Sequence, residues 1–111
     1  MDVPEQATLL RIFLGERERH EHKPLYEAIV LEARKHGLAG ATVLRGVEGY
    51  GSSSVLHTAK ILELSDDLPM VVEIVDSEEK IEQFLPVLEH MTASCLVTLE
   101  KVRVVRYGPK K

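Results

Sequence analysis

The stretch Pro69–Asp76, PMVVEIVD, decides the fold. Its side chains are apolar on both faces of an extended chain, interrupted only by Glu73, which describes a strand buried in a sheet. Ser65-Asp66-Asp67 just before it reads as a turn. Asp76 ends the strand and is placed to cap a following helix, with Glu79 three residues on to bond back. Ile81, Phe84, Leu85, Leu88 and Met91 then recur at helical spacing. Pro86 interrupts that pattern, at about 3 kcal/mol in a helix interior, and predicts a kink or a helix that begins again.

Towards the amino terminus the pattern repeats. Residues 8–15, TLLRIFLG, read as a strand with Leu10, Ile12 and Leu14 on one face and Leu9, Arg11 and Phe13 on the other. Glu16–His22, ERERHEH, reads as a charged, solvated connector. Lys23–His36 predicts a helix: Pro24 suits the first turn, Leu25, Ile29 and Ala33 form a stripe, and Gly37 is a natural stop. A strand over Ala41–Val47 enters a glycine-rich loop. Val55–Leu64 fits an edge strand or one arm of a long hairpin. Val97–Tyr107 closes the chain as a strand pair or one long bulged strand.

The order is β-α-β-loop-β-α-β. It predicts one α+β domain over residues 1–111, a ferredoxin-like βαββαβ sandwich with two helices on one face of a four-stranded antiparallel sheet. Residues 48–60 would be a flexible loop for a ligand or partner, and 109–111 a frayed tail. The uncovered face of the sheet is too apolar for a monomer. Whichever way Pro69–Asp76 is turned, it offers valines or Met70, Val72 and Ile74 to that side. Self-association into a closed ring is the simplest remedy.

The bulk numbers narrow the function. The chain has 111 residues, 44% of them hydrophobic, and a net charge of −4. The negative balance argues against a nucleic-acid partner. The single cysteine, Cys95, excludes an internal disulfide and fits a reducing compartment. The first residues do not form a signal peptide, and no apolar run is long enough to insert in a membrane. The expectation is a cytoplasmic protein.

The candidate site lies in Gly40–Lys60, GATVLRGVEGYGSSSVLHTAK. Gly46, Gly49 and Gly51 let backbone N–H groups approach a phosphate or a purine. Ser52, Ser53 and Ser54 add hydroxyls. Arg45, Lys60, Arg103 and Arg106 are candidate charge partners. A glycine pair between two strands also reads as a plain turn, and the order of a phosphate-binding Walker loop is absent. Glu73 breaks an apolar strand and so needs a partner: a basic residue or histidine of the loop, a ligand hydroxyl, or a structural ion pair. His57 with Glu73 could form an acid–base pair. Cys95 with His90 could be a thiol nucleophile, against the alternative of a small core residue. His20 and His22 among Glu16, Glu18 and Glu21 could hold copper, nickel or zinc, or could simply be a solvated loop.

Several of these residues carry a family likeness. Gly37-Leu38-Ala39-Gly40-Ala41-Thr42-Val43 is followed by Gly49-Tyr50-Gly51, His57, Leu68-Pro69, the strand Val72–Asp76 and a terminal Arg106-Tyr107-Gly108. In this order they resemble the PII signalling superfamily, and above all its uncharacterised PII-like group of short single-domain proteins. The resemblance implies a homotrimer with sheets packed inward. It also implies a mobile partner-binding loop over Glu48–Lys60 and a nucleotide in the cleft between subunits. Tyr50 would stack on a base or on the next subunit.

Two departures from the PII pattern shape the expected ligand. The Gly-Lys loop that holds polyphosphate in PII proteins is replaced here by Thr92–Leu99, without glycine or lysine. Arg106 keeps the Arg-x-Gly context, whereas Arg103 is shifted by one face of the strand. AMP, ADP or cyclic AMP is therefore expected in preference to ATP, bound to a sensor that is not an enzyme. A membrane transporter or channel would be the partner by the same likeness. The alternatives are a CutA-type divalent-metal or ion-tolerance protein and a structural, protein-binding trimer without a small ligand.

Overall fold

A computed structural model of the chain describes residues 3–50 and 67–109. Its elements are β1 (Gln6–Gly15), β2 (Arg19–His20), β3 (Lys23–Pro24), α1 (Leu25–Lys35), β4 (Thr42–Arg45), β5 (Pro69–Asp76), α2 (Glu78–Met91) and β6 (Leu96–Arg103). The main sheet is antiparallel with strand order β4-β5-β1-β6, which is the split β-α-β topology of a ferredoxin-like α+β domain. The expected edge strand over 55–64 lies outside the described residues.

Alternation along the two central strands sets the core. Leu10, Ile12 and Leu14 of β1 and Met70, Val72 and Ile74 of β5 are buried under Leu25, Ile29 and Ala33 of α1 and Ile81, Phe84 and Leu88 of α2. Among the described residues no helix covers the opposite side of the sheet. Pairing places Leu44, Val71, Phe13 and Leu96 in one row across all four strands. Leu44 and Leu96 are 50% and 60% exposed, so this row is an open apolar strip. The neighbouring row is Thr42, Glu73, Arg11 and Thr98. The uncovered face is thus apolar as expected, but it is the valines of β5 that line it, and a charged centre crosses it.

Four local expectations change. Asp76 does not cap α2. Ser77 does, accepting from the Lys80 N–H at 3.2 Å. Asp76 is still in the strand and wholly buried, and its carboxylate accepts the N–H groups of Ser77 at 2.7 Å and Ala39 at 2.9 Å. Second, α2 does not begin again at Pro86: one helix runs through it. Pro86 sits on the exposed side of the helix. There the carbonyl it leaves without a partner can turn to water.

Third, a small hairpin, β2 with β3, runs from the charged connector into Lys23-Pro24, so α1 begins at Leu25 and Pro24 stands just before it as the N-cap, not within the helix. Glu21 and His22 at its tip take φ of +47° and +72°, and the Arg19 guanidinium donates to the His22 carbonyl at 2.7 Å. Fourth, β6 is one strand and ends at Arg103. Beyond it, the Val104 N–H donates to the Glu5 carbonyl at 2.7 Å, and the Tyr107 hydroxyl donates to the Ala39 carbonyl at 3.0 Å.

Candidate functional site

The candidate residues gather where β4 ends and β5 begins. The Gly46 N–H donates to the Pro69 carbonyl at 2.7 Å, and the Glu16 N–H to the Leu68 carbonyl at 2.8 Å. Both neighbours of β5 are therefore pinned to its first residues. A Cβ on Gly46 would come within 2.8 Å of Pro69 Cγ, and one on Gly49 within 3.3 Å of the same atom. These two glycines are explained by the close approach of their backbone to the proline ring. Tyr50 follows them with 76% of its surface open, and Val47 with 74%.

Charged side chains ring this end. Arg45 Nη2 donates to Glu16 Oε2. Glu18 Oε2 accepts the Gly15 N–H at 2.7 Å, and Asp67 Oδ1 accepts the Arg17 N–H at 3.0 Å. Ser94 Oγ donates to Glu18 Oε1 at 3.4 Å, tying the start of β6 to the same cluster. Cys95 lies beside it, half-buried, with its Sγ 3.6 Å from Thr92 Oγ1. Burial pushes the Cys95 thiol above its ordinary range; the Thr92 hydrogen bond opposes this and the Glu18 charge adds to it. The thiolate is disfavoured, which suits packing rather than nucleophilic chemistry. Among the described residues no hydrogen bond joins Cys95 to His90.

The other candidates lie elsewhere. Glu73 is in the middle of the uncovered face, where Arg11 Nε donates to its Oε2 at 2.9 Å. Arg11 Nη1 also stands 3.8 Å from Glu100 Oε1. Among the described residues the partner of Glu73 is thus Arg11 of β1, the structural ion pair of the alternatives above; residues 51–66 of the loop lie outside the described residues. Two apolar strands each broken by one opposite charge were the signal for this pair. Arg103 lies at the far end of the sheet, opposite Gln6, and pairs with Glu5 at 3.2 Å. Arg45 lies opposite Met70, which pairs with Leu14. The path along β1 from Leu14 to Gln6 is about 27 Å of strand. Within one chain, Arg45 and Arg103 cannot hold one small ligand. Arg106 follows Arg103 at that far end. Gly51, Ser53, His57 and Lys60 lie outside the described residues, and with them the pairing of His57.

A concavity of about 590 Å³ opens between α1, α2 and the β2–β3 hairpin, away from Arg45 and Glu73. His20, His36 and His90 line it with Lys23, Lys35 and Met91. His20 Nε2 is 3.3 Å from Glu21 Oε2, and His36 Nδ1 is 2.9 Å from the Glu32 carbonyl. His22 is at the hairpin tip and not in the lining. Among the described residues, no three His, Cys, Asp or Glu side chains converge to hold a metal ion. Nor is any described helix long and apolar enough to cross a membrane.

A four-stranded antiparallel sheet in split β-α-β order with two helices on one face is a ferredoxin-like α+β domain. The chain belongs to the DUF190 family, described as "Uncharacterized ACR", which matches residues 7–104. It is 44% identical over 97 residues to a UPF0166 protein of Aquifex aeolicus, covering 87% of this chain and 91% of that one. It is 39% identical over 83 residues to the UPF0166 protein MJ1524 of Methanocaldococcus jannaschii, covering 75% of this chain and 76% of the relative. Among solved structures, the fold is similar to that of CPII, a nitrogen regulatory PII-like protein from Thiomonas intermedia K12 bound to ADP, AMP and bicarbonate. That likeness has a TM-score of 0.61 at 20% identity and covers 91% of this chain and 90% of that one.

Proposed function

We propose that this protein is a PII-like regulatory protein that binds an adenine nucleotide between the subunits of a homotrimer. AMP, ADP or cyclic AMP is favoured over ATP because Thr92–Leu99 supplies no Gly-Lys phosphate loop. Binding orders the segment 48–60, which then favours or blocks a partner protein in the cytoplasm; a membrane transporter or channel is the partner the PII likeness suggests. The ligand must have different affinity for the two states of that segment, or nothing is signalled. The protein does no chemistry on the nucleotide.

The observation that carries this reading is the separation of the cationic groups. Arg45 is at one end of the sheet and Arg103 and Arg106 at the other, so a ligand that uses both ends needs residues from two chains. The open apolar row Leu44, Val71, Phe13 and Leu96 provides a surface over which a second copy can bring them together. The solved neighbour CPII, with its ADP and AMP, supports the choice of nucleotide.

Light scattering and thermal melting test it together. A trimer mass at micromolar concentration is expected. ADP or AMP at a hundred times its dissociation constant should stabilise the protein by roughly 2.7 kcal/mol. A monomer mass, or no shift with any adenine nucleotide, removes the reading and leaves a protein-binding domain without a small ligand. A shift with zinc or copper alone would favour an ion-binding protein instead.

A further inference from the structure

The cation best placed to meet a ligand is already engaged. Arg45 Nη2 donates to Glu16 Oε2, and among the described residues neither side chain has another polar partner. Backbone bonds scaffold this pair. Glu16 is held to the Leu68 carbonyl and Gly46, next to Arg45, to the Pro69 carbonyl, which are consecutive residues at the start of β5. β5 runs between β1 and β4, so the two side chains reach towards each other across its first turn of chain. Glu16 is the sheltered member, with its side chain 19% exposed against 57% for Arg45. The guanidinium therefore keeps an open side from which an anion can approach while the carboxylate holds the other.

We propose that Glu16 is a specificity-determining residue of the nucleotide site, an internal carboxylate that holds Arg45 until a phosphoryl group displaces it. This rests on the nucleotide reading above, with Arg45 as a phosphate contact. The exchange has a chemical direction. A carboxylate brings one negative charge, whereas a terminal phosphoryl group brings about −1.5 to −2 and three acceptor oxygens. Arginine grips either with two parallel N–H groups, so the more highly charged group wins the guanidinium. Glu16 thereby lowers affinity for every anion and excludes singly charged ones most, which ranks cyclic AMP, a phosphodiester of single charge, below AMP and ADP. The opposite role, in which Glu16 orients Arg45 for the ligand, predicts the opposite sign on removing its charge.

Calorimetric titration with ADP of the wild type, Glu16→Gln, Arg45→Ala and the double variant decides between them. Glutamine keeps the size of the side chain and removes its charge. Glu16→Gln is expected to bind ADP about fivefold more tightly, the scale of one exposed ion pair. Arg45→Ala is expected to bind more weakly, and the gain from Glu16→Gln is expected to vanish when Arg45 is absent. Equal or weaker binding by Glu16→Gln overturns the proposal and leaves the nucleotide reading standing. So does a gain that survives in the double variant. No ADP binding by wild type and Glu16→Gln alike overturns both. Glu16→Ala, with folding checked by thermal melting, repeats the test should the glutamine variant fold poorly.

Discussion

The two ends of the sheet each hold a carboxylate between neighbouring strands, and the two carboxylates are used in opposite ways. Asp76 is fully buried and accepts two backbone N–H groups, from Ala39 in the α1–β4 connection and from Ser77 at the start of α2. Glu16 is only partly sheltered, and among the described residues it meets one side-chain cation, itself 57% exposed. A buried acceptor with two fixed donors cannot be replaced by a ligand without unfolding its surroundings. A surface carboxylate on an open arginine can be replaced, at little cost to the fold. The closed end, fastened further by the Tyr107 hydroxyl on the Ala39 carbonyl, is the anchor. The open end is where exchange can occur.

The largest effect should come from the anchor. Asp76→Ala leaves the Ala39 and Ser77 N–H groups buried without an acceptor, and unfolding in urea should show a loss of roughly 3 kcal/mol. A loss below ~1 kcal/mol would mean that water replaces the carboxylate and that the two ends do not differ in kind. Next is Gly46→Ala at the open end. Its Cβ would stand 2.8 Å from Pro69 Cγ, and the backbone bond between the same two residues prevents them from parting. A loss of about 2 kcal/mol from overpacking is expected. Gly40→Ala is its control, because nothing lies within 4 Å of a Cβ there, and it should be close to neutral.

Smaller still is Arg11→Ala on the uncovered face. The Arg11 and Glu73 side chains are 33% and 30% exposed, so water screens their attraction in the single chain. Removing Arg11 should cost no more than about 1 kcal/mol in urea unfolding of the monomeric chain. It also takes the cation away from Glu73 and Glu100 on the surface proposed to meet a second copy. Light scattering should therefore show the trimer dissociating at a higher protein concentration than in the wild type. An unchanged dissociation would place the interface elsewhere.

What could be read in the sequence follows from range. Leu10, Ile12 and Leu14, and the bounds of Pro69–Asp76, depend on alternation within one strand and were legible. Asp76 was misassigned as a cap because its second donor, Ala39, is far away in the chain and is brought near only by the sheet. At Pro86 a local rule allows a helix to begin again because it does not see that the residue stands on the exposed side of one continuous helix. The β2–β3 hairpin runs from ERERHEH into Lys23-Pro24, where charges mask the turn, no glycine marks the positive φ and Pro24 reads equally as a first helical turn. At the site, Gly46 and Gly49 stood out by type, but their reason is Pro69, met only through strand pairing. The pairs Arg11–Glu73 and Arg45–Glu16 cross between strands, so neither partner could be named before the register was known. Arg45 and Arg103 read as one set of phosphate contacts until the topology put them at opposite ends.

The smallest effect on stability is the one that separates the two ends most clearly. Glu16→Ala removes a carboxylate whose only side-chain partner among the described residues is 57% exposed, and the backbone bond from the Glu16 N–H to the Leu68 carbonyl survives the change. Nothing buried loses an acceptor. Stability in urea should move by less than about 0.5 kcal/mol, as for other surface pairs. Asp76→Ala removes a carboxylate too, so the contrast between the variants measures position and not chemistry. A loss of 2 kcal/mol or more in Glu16→Ala would show that the pair braces β1 against β4, and the open end would then be a second anchor instead of a place where one anion gives way to another.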